Sequence, residues 1–203
     1  MVKLWGYHPE DYAFMFDAPD FSGRTLEYAC GPSTLSAENR SVINYLPEYT
    51  QSPEDLKHWI DQQFAIQCSE LSEEVSVEII QKRSEGILHF LQDYPQGKLD
   101  RRYISDLTDV PYCDLAISAF HFFQSTSISA ISEEAQELLT LTTKAKEVRI
   151  YPVQSSQVPT ILGPILLWLQ DQNVGLEVRS LTQEKELRQV AMLRLWAQAC
   201  SVE

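Results

Sequence analysis

The run Thr25-Leu26-Glu27-Tyr28-Ala29-Cys30-Gly31-Pro32-Ser33 ends an apolar strand in a carboxylate and follows it with a turn of small residues. Positions with little or no Cβ let a backbone bend sharply and let a ligand come into contact with it. The chemistry this suits is the holding of a nucleotide-type cofactor. In the full pattern Glu/Asp-x-Gly-x-Gly-x-Gly, glycine would stand at 29, 31 and 33; this chain keeps Glu27 and Gly31 and carries Ala29 and Ser33 beside them. Pro32 fixes φ after Gly31, and Ser33 or Thr34 can cap a helix running through Glu38. A strand-to-helix turn with no ligand also uses small residues, so both readings stand on this segment alone.

Other reactive side chains are scattered. Cys30, Cys68, Cys113 and Cys200 form no Cys-x-x-Cys pair, and His8, His58, His89 and His121 do not stand at ligand spacing beside them. The cysteines read as small buried hydrophobes and no structural metal is expected. The net charge of -13 repels phosphates, and no basic cluster longer than Arg101-Arg102 offsets it, so nucleic acid is disfavoured as a partner. The start Met1-Val2-Lys3-Leu4-Trp5-Gly6 does not read as a signal peptide and no apolar run approaches the ~20 residues of a membrane span, so a cytoplasmic protein is expected.

These side chains need a scaffold, and 203 residues fit one domain, residues 1–203, with an aromatic helical segment over 1–22. Pro9 suits the first turn of a short helix that puts Tyr12, Met15 and Phe16 on one face. These aromatics, with Tyr7, read either as packing or as a cover over a substrate pocket. Strands are expected at 25–28, 41–45, 102–107, 113–120, 147–153, 175–179 and 191–196, the one at 113–120 buried on both faces in the way parallel strands are. Helices are expected at 33–38, from Ser52 to about Cys68, from about Ser72 to a stop at Tyr94-Pro95-Gln96-Gly97, around 132–139 and at 160–170. The alternation predicts an α/β fold: a Rossmann-like, mostly parallel seven-stranded sheet with helices on both faces. With no helix between them, the last two strands should form an antiparallel C-terminal hairpin at the sheet edge.

On these features, with Gly6-Tyr7, Tyr12-Ala13-Phe14-Met15-Phe16-Asp17 and Glu147-Val148-Arg149-Ile150-Tyr151-Pro152, the chain resembles class I S-adenosylmethionine-dependent methyltransferases. More narrowly it is similar to a bacterial group of methyltransferase-like proteins with a Gly-Pro-Ser-Ser/Thr motif, here Gly31-Pro32-Ser33-Thr34. The resemblance implies that S-adenosylmethionine is the cofactor. It implies that the backbone around Ala29, Cys30 and Gly31 faces the methionine part, with Glu27 organising the turn and Tyr28, Ser33 and Leu46 also at the cofactor. Asp106 and the Leu107 amide would meet the adenine. Ala119, Phe120 and His121 would lie beside the transferring methyl. Tyr7, Tyr12, Phe16 and His121 would meet the acceptor, a small molecule or a protein side chain, with His121 as the base for a neutral acceptor.

The chain departs from that pattern at four points. Ala29 and Ser33 replace turn glycines, the first helix is short, and His121 sits one place later than the relatives' histidine. Where relatives carry Asp-Pro-x-Tyr, whose acid holds the ribose hydroxyls, this chain has Leu46-Pro47-Glu48-Tyr49. Losing a charged acceptor costs roughly 1.5–3 kcal/mol, about one to two decades of affinity, unless Asn44 or Glu48 reaches in instead. The alternative is therefore a catalytically inactive methyltransferase fold used as a binding or regulatory module. A nicotinamide oxidoreductase fits less well, because the turn is poorer still for a pyrophosphate.

Overall fold

A computed structural model of the chain describes residues 3–18, 21–39, 41–71, 75–94, 102–124, 127–154, 158–181 and 190–198. Met1, Val2, the Ser72 helix start, the Pro95-Gln96-Gly97 stop, Arg101 and Cys200 lie outside the described residues. In chain order the elements are α1 (Pro9–Met15), β1 (Thr25–Tyr28), α2 (Leu35–Glu38), β2 (Val42–Tyr45), α3 (Pro53–Ser69), α4 (Val77–Asp93), β3 (Tyr103–Ile104), β4 (Cys113–Ala119), α5 (Ile128–Lys144), β5 (Ala145–Gln154), α6 (Gly163–Asp171), β6 (Val174–Leu181) and β7 (Val190–Ala197). No helix among the described residues is long and apolar enough to cross a membrane.

The strands make one sheet in the order β3-β2-β1-β4-β5-β7-β6. β1 to β5 are parallel, with Leu26 opposite Ile43 on one side and Ala116 on the other. The expected antiparallel pair forms, with β6 at the edge and β7 folded back between β6 and β5; Leu193 faces Ile150 and Val178. β7 is thus antiparallel to both neighbours.

Alternation along the strands sorts the two faces. Leu26, Ala116, Val148, Ile150, Leu193 and Leu195 pack one face against Leu138 and Leu141 of α5 and Ile165 and Leu169 of α6. On the other face α2 has four residues, too few to cover β1 and β4. The N-terminal segment takes its place: Tyr7, Tyr12, Met15, Phe16 and Phe21 pack on Val42, Ile117, Tyr151 and Met192. Farther along that face, alternate positions of β5, β7 and β6 are charged. Glu147 accepts from Arg149 at 2.5 Å and from Arg194 at 2.9 Å, and Arg194 donates to Glu177 at 2.6 Å. Arg149 also donates to the Phe16 carbonyl at 2.5 Å, tying the N-terminal segment to the sheet.

The segment is further fixed where Gly6 crosses α4. A Cβ on Gly86 would stand 2.4 Å from the Gly6 carbonyl oxygen, so this crossing requires glycine. The link between β2 and β3 holds α3 and α4, which pack on each other through Leu56, Ile60, Ile87 and Phe90. Ser52 caps α3 by accepting from the Asp55 amide, as its sequence predicts. α4 is capped by Ser76, which accepts from Ile79.

The strand expected over 102–107 is two residues long. Asp106 ends it by accepting hydrogen bonds from the Thr108 amide at 2.8 Å and the Thr108 hydroxyl at 2.7 Å, which turns the chain into a short 3₁₀ helix at Leu107–Asp109. Local side-chain acceptors compete with a sheet ladder in this way.

Candidate functional site

A cavity of about 380 Å³ opens at the C-terminal ends of β1, β2 and β4. It lies where the chain leaves β1 in one direction toward β2 and returns on the other side at β4. Open α/β sheets bind ligands at such a switch in strand order, because the loops there diverge and leave a crevice. Tyr28, Ala29, Leu46, Ala119, Phe120 and His121, all expected from the sequence to be at the site, line it. Trp59, Gln63 and Gln67 of α3 and Trp5 of the N-terminal segment supply another wall.

Two wall residues hold strained backbone. Ala29 has φ of 51° and Phe120 has φ of 58°, a region that L side chains with a Cβ avoid. Ala29 is held there by its amide hydrogen bond to the Tyr45 carbonyl at 3.0 Å, and Phe120 by one to the Tyr151 carbonyl at 2.7 Å. Strain of this kind concentrates at binding sites. Ala29→Gly is therefore expected to raise stability by about 0.5–1 kcal/mol in urea denaturation, since the left-handed penalty for alanine exceeds glycine's extra chain entropy. A loss of stability would show that the Ala29 methyl is packed rather than strained.

Beneath the cavity sits Glu27, fully buried. It accepts from the Ser33 hydroxyl and from the Asn44 amide at 3.0 Å. Asn44 also reaches the Gly31 carbonyl at 3.3 Å and accepts from the Tyr49 hydroxyl at 2.5 Å. Glu27 and Ser33 thus tie the turn together from below, and neither is among the residues lining the cavity. Burial raises the Glu27 pKa above its ordinary 4.5, against hydrogen bonds from Ser33 and Asn44 that lower it. A carboxyl whose folded pKa lies above the unfolded value holds its proton longer in the folded state. Its contribution is full below the unfolded value and is lost as pH rises through the folded one. Glu27→Gln mimics the protonated form, so the melting temperature of the wild type, relative to this variant, should fall as pH rises above about 4.5. Parallel melting curves across that range would refute the assignment.

Cys30 is buried with its thiol toward the Tyr28 and Ile117 carbonyls at 3.6 Å, and burial pushes its pKa up. It is an inert packing group and does not line the cavity. Gly31 keeps the positive φ (71°) that the motif requires, but its open side is filled: a Cβ there would stand 2.6 Å from the Trp5 indole. Backbone groups of the turn are also taken: the Thr34 amide donates to the Tyr7 carbonyl at 2.8 Å, and the Pro32 carbonyl accepts from the Gly6 amide at 3.0 Å. The chain's own residues 5–7 thus lie against the turn that the sequence offers to a ligand.

Asp106 and Leu107, expected at the adenine, are not among the lining residues. Asp106 is exposed and spends its carboxylate on Thr108, whose amide and hydroxyl hold its pKa below the usual range. Leu107 packs against the core under α5. Tyr7, Tyr12 and Phe16, expected at the acceptor, are buried in the N-terminal cluster instead. The physical reason is the short α2, which leaves a sheet face that only large side chains can fill.

Sequence reasoning missed Glu137. From α5 it enters the same cavity, accepts from His121 Nε2 at 3.0 Å and accepts from the Tyr28 hydroxyl. Burial pulls its pKa up, but the bonds from His121 and Tyr28 outweigh it and hold the carboxyl below its usual range. Burial and the neighbouring Glu137 push the Tyr28 phenol up. Glu48 completes the polar lining. Its Oε2 is buried and has no hydrogen-bond partner among the described residues. Of the two residues that could stand in for an acid at 46, Asn44 is engaged below the turn, while the Oε2 of Glu48 has no partner among the described residues.

No family model matches the chain, and no curated protein matches it. Among solved structures it is similar to WbdD, crystallised with a kinase inhibitor, at 12% identity and a TM-score of 0.45 over 86% of this chain; it spans 36% of the WbdD chain. It is also similar to magnesium protoporphyrin IX methyltransferase (ChlM) from Synechocystis PCC 6803 with bound S-adenosylmethionine. There the identity is 10% and the TM-score 0.39, covering 87% of this chain and 70% of that one.

Proposed function

We propose that the cavity binds S-adenosylmethionine and that the protein transfers its methyl group to a small molecule or a protein side chain. The observation that carries this reading is the cavity at the switch in strand order, lined by Tyr28, Ala29, Leu46, Ala119, Phe120 and His121. These are positions at which the sequence resemblance implies the cofactor. The fit of the residues is uneven. Glu48 offers a free carboxylate oxygen for ribose hydroxyls in place of an acid at 46, while Trp5 covers Gly31 and must yield for a ligand to reach the turn. When bound, the sulfonium supplies an activated methyl group, so the protein's part is alignment and exclusion of water. For a neutral acceptor, His121 donates Nε2–H to Glu137 and takes the acceptor's proton at Nδ1.

A second reading, an inactive fold that serves as a binding or regulatory module, is favoured by the occupancy of the turn by Trp5 and Tyr7 and by Leu46. Titration calorimetry of ligand-free protein with S-adenosylmethionine and S-adenosylhomocysteine separates the two. Micromolar binding supports the transferase; no heat up to millimolar ligand rejects it in favour of the module.

A further inference from the structure

The cavity wall combines two aromatic pairs with two carboxylates. Tyr28 and Tyr45 stack with ring centroids 4.9 Å apart, and Trp5 and Trp59 meet at 5.1 Å and 42°. Glu48 and Glu137 are the acids in the same lining, and the Oε2 of Glu48 is buried without a partner. Aromatic rings attract cations through their quadrupole, and a carboxylate shielded from water strengthens that attraction. The basic groups of the lining do not cancel it. His121 is already paired with Glu137, and Lys3 is exposed, where solvent screens its charge. The net charge of -13 draws cations toward the molecule as a whole.

We infer that this cavity selects positively charged ligands, of the sulfonium or quaternary-ammonium class, over neutral ones of the same shape, with Glu48 as the residue that sets the selectivity. The inference deepens the proposed function and in its first test rests on that reading: a sulfonium cofactor is a cation and its demethylated product is not. Titration calorimetry should show S-adenosylmethionine binding about tenfold tighter than S-adenosylhomocysteine, and Glu48→Gln should shrink the ratio to below about threefold. Glu48 is half-exposed, so the variant should melt within about 2 °C of the wild type. Equal affinities, or tighter binding of the thioether, would overturn the inference while leaving the cofactor reading intact.

Should neither nucleoside bind, the cofactor reading fails and the inference is decided by a second pair, choline against its neutral isostere 3,3-dimethylbutan-1-ol. Choline binding at least about fivefold tighter, lost in Glu48→Gln, sustains it. Equal binding, or binding of neither, refutes it.

Discussion

Replacing Arg83 with methionine is expected to cost about 3–5 kcal/mol of folding stability, lowering Tm by roughly 10 °C in a chain of this size. Arg83 projects from α4 with a side chain 6% exposed and donates twice to Asp11, at 2.6 and 3.1 Å. Its guanidinium also lies 4.7 Å from the centre of the Tyr7 ring. Asp11 in turn accepts the His8 amide at 2.8 Å, which closes the first turn of α1. Methionine would fill much of the volume but leave the Asp11 carboxylate, whose side chain is 14% exposed, with that single amide. An uncompensated buried charge is costlier than the pair itself is stabilising. Urea denaturation of Arg83→Met and of the double variant Arg83→Met/Asp11→Asn tests this. The double variant should recover a large part of the loss, and a single-variant loss below about 1 kcal/mol would mean that solvent already reaches the pair.

The second large effect belongs to Phe16. Its ring is fully buried, 5.7 Å from Tyr12 and 6.4 Å from Tyr151, so Phe16→Ala should cost about 3–5 kcal/mol. Because the residue is not among those lining the cavity, ligand affinity measured well below the variant's melting temperature should stay within about threefold of wild type. The opposite pattern, an unchanged Tm with affinity lost more than tenfold, would return the aromatic segment to the role of a cover over the ligand.

Much of the scaffold could be read from the chain because its signals are local. Ser52-Pro53-Glu54-Asp55 specifies a cap and a helix start, and the cap forms. Glu27 followed by small residues marks the end of β1, and the strand order then places Ala29, Leu46 and Ala119 together at the switch. Signals that depend on tertiary pairing were silent. Glu137 is only one acid of the expected helix around 132–139 until α5 packs beside β4 and brings it to His121 and Tyr28. Trp5 and Trp59 are far apart in sequence and meet only when α3 folds over the N-terminal segment. Asp106, which the resemblance places at the adenine, accepts from Thr108 two residues on, a pairing that no sequence pattern announced. The role of Tyr7, Tyr12 and Phe16 was written in the brevity of α2, since a sheet face left bare by a short helix must be covered from elsewhere.

The position of β7 between β5 and β6 bears on how the molecule is made. β6 leaves the ribosome before β7, yet its ladder is formed with β7. Until Val190–Ala197 has emerged, β5 ends the sheet in an open edge and β6 has no neighbour. Unpaired edges recruit other chains. Translation stalled in the stretch between β6 and β7 would therefore leave two unmatched strands in the cell, and the last strand acts as the closing piece that ends this exposure.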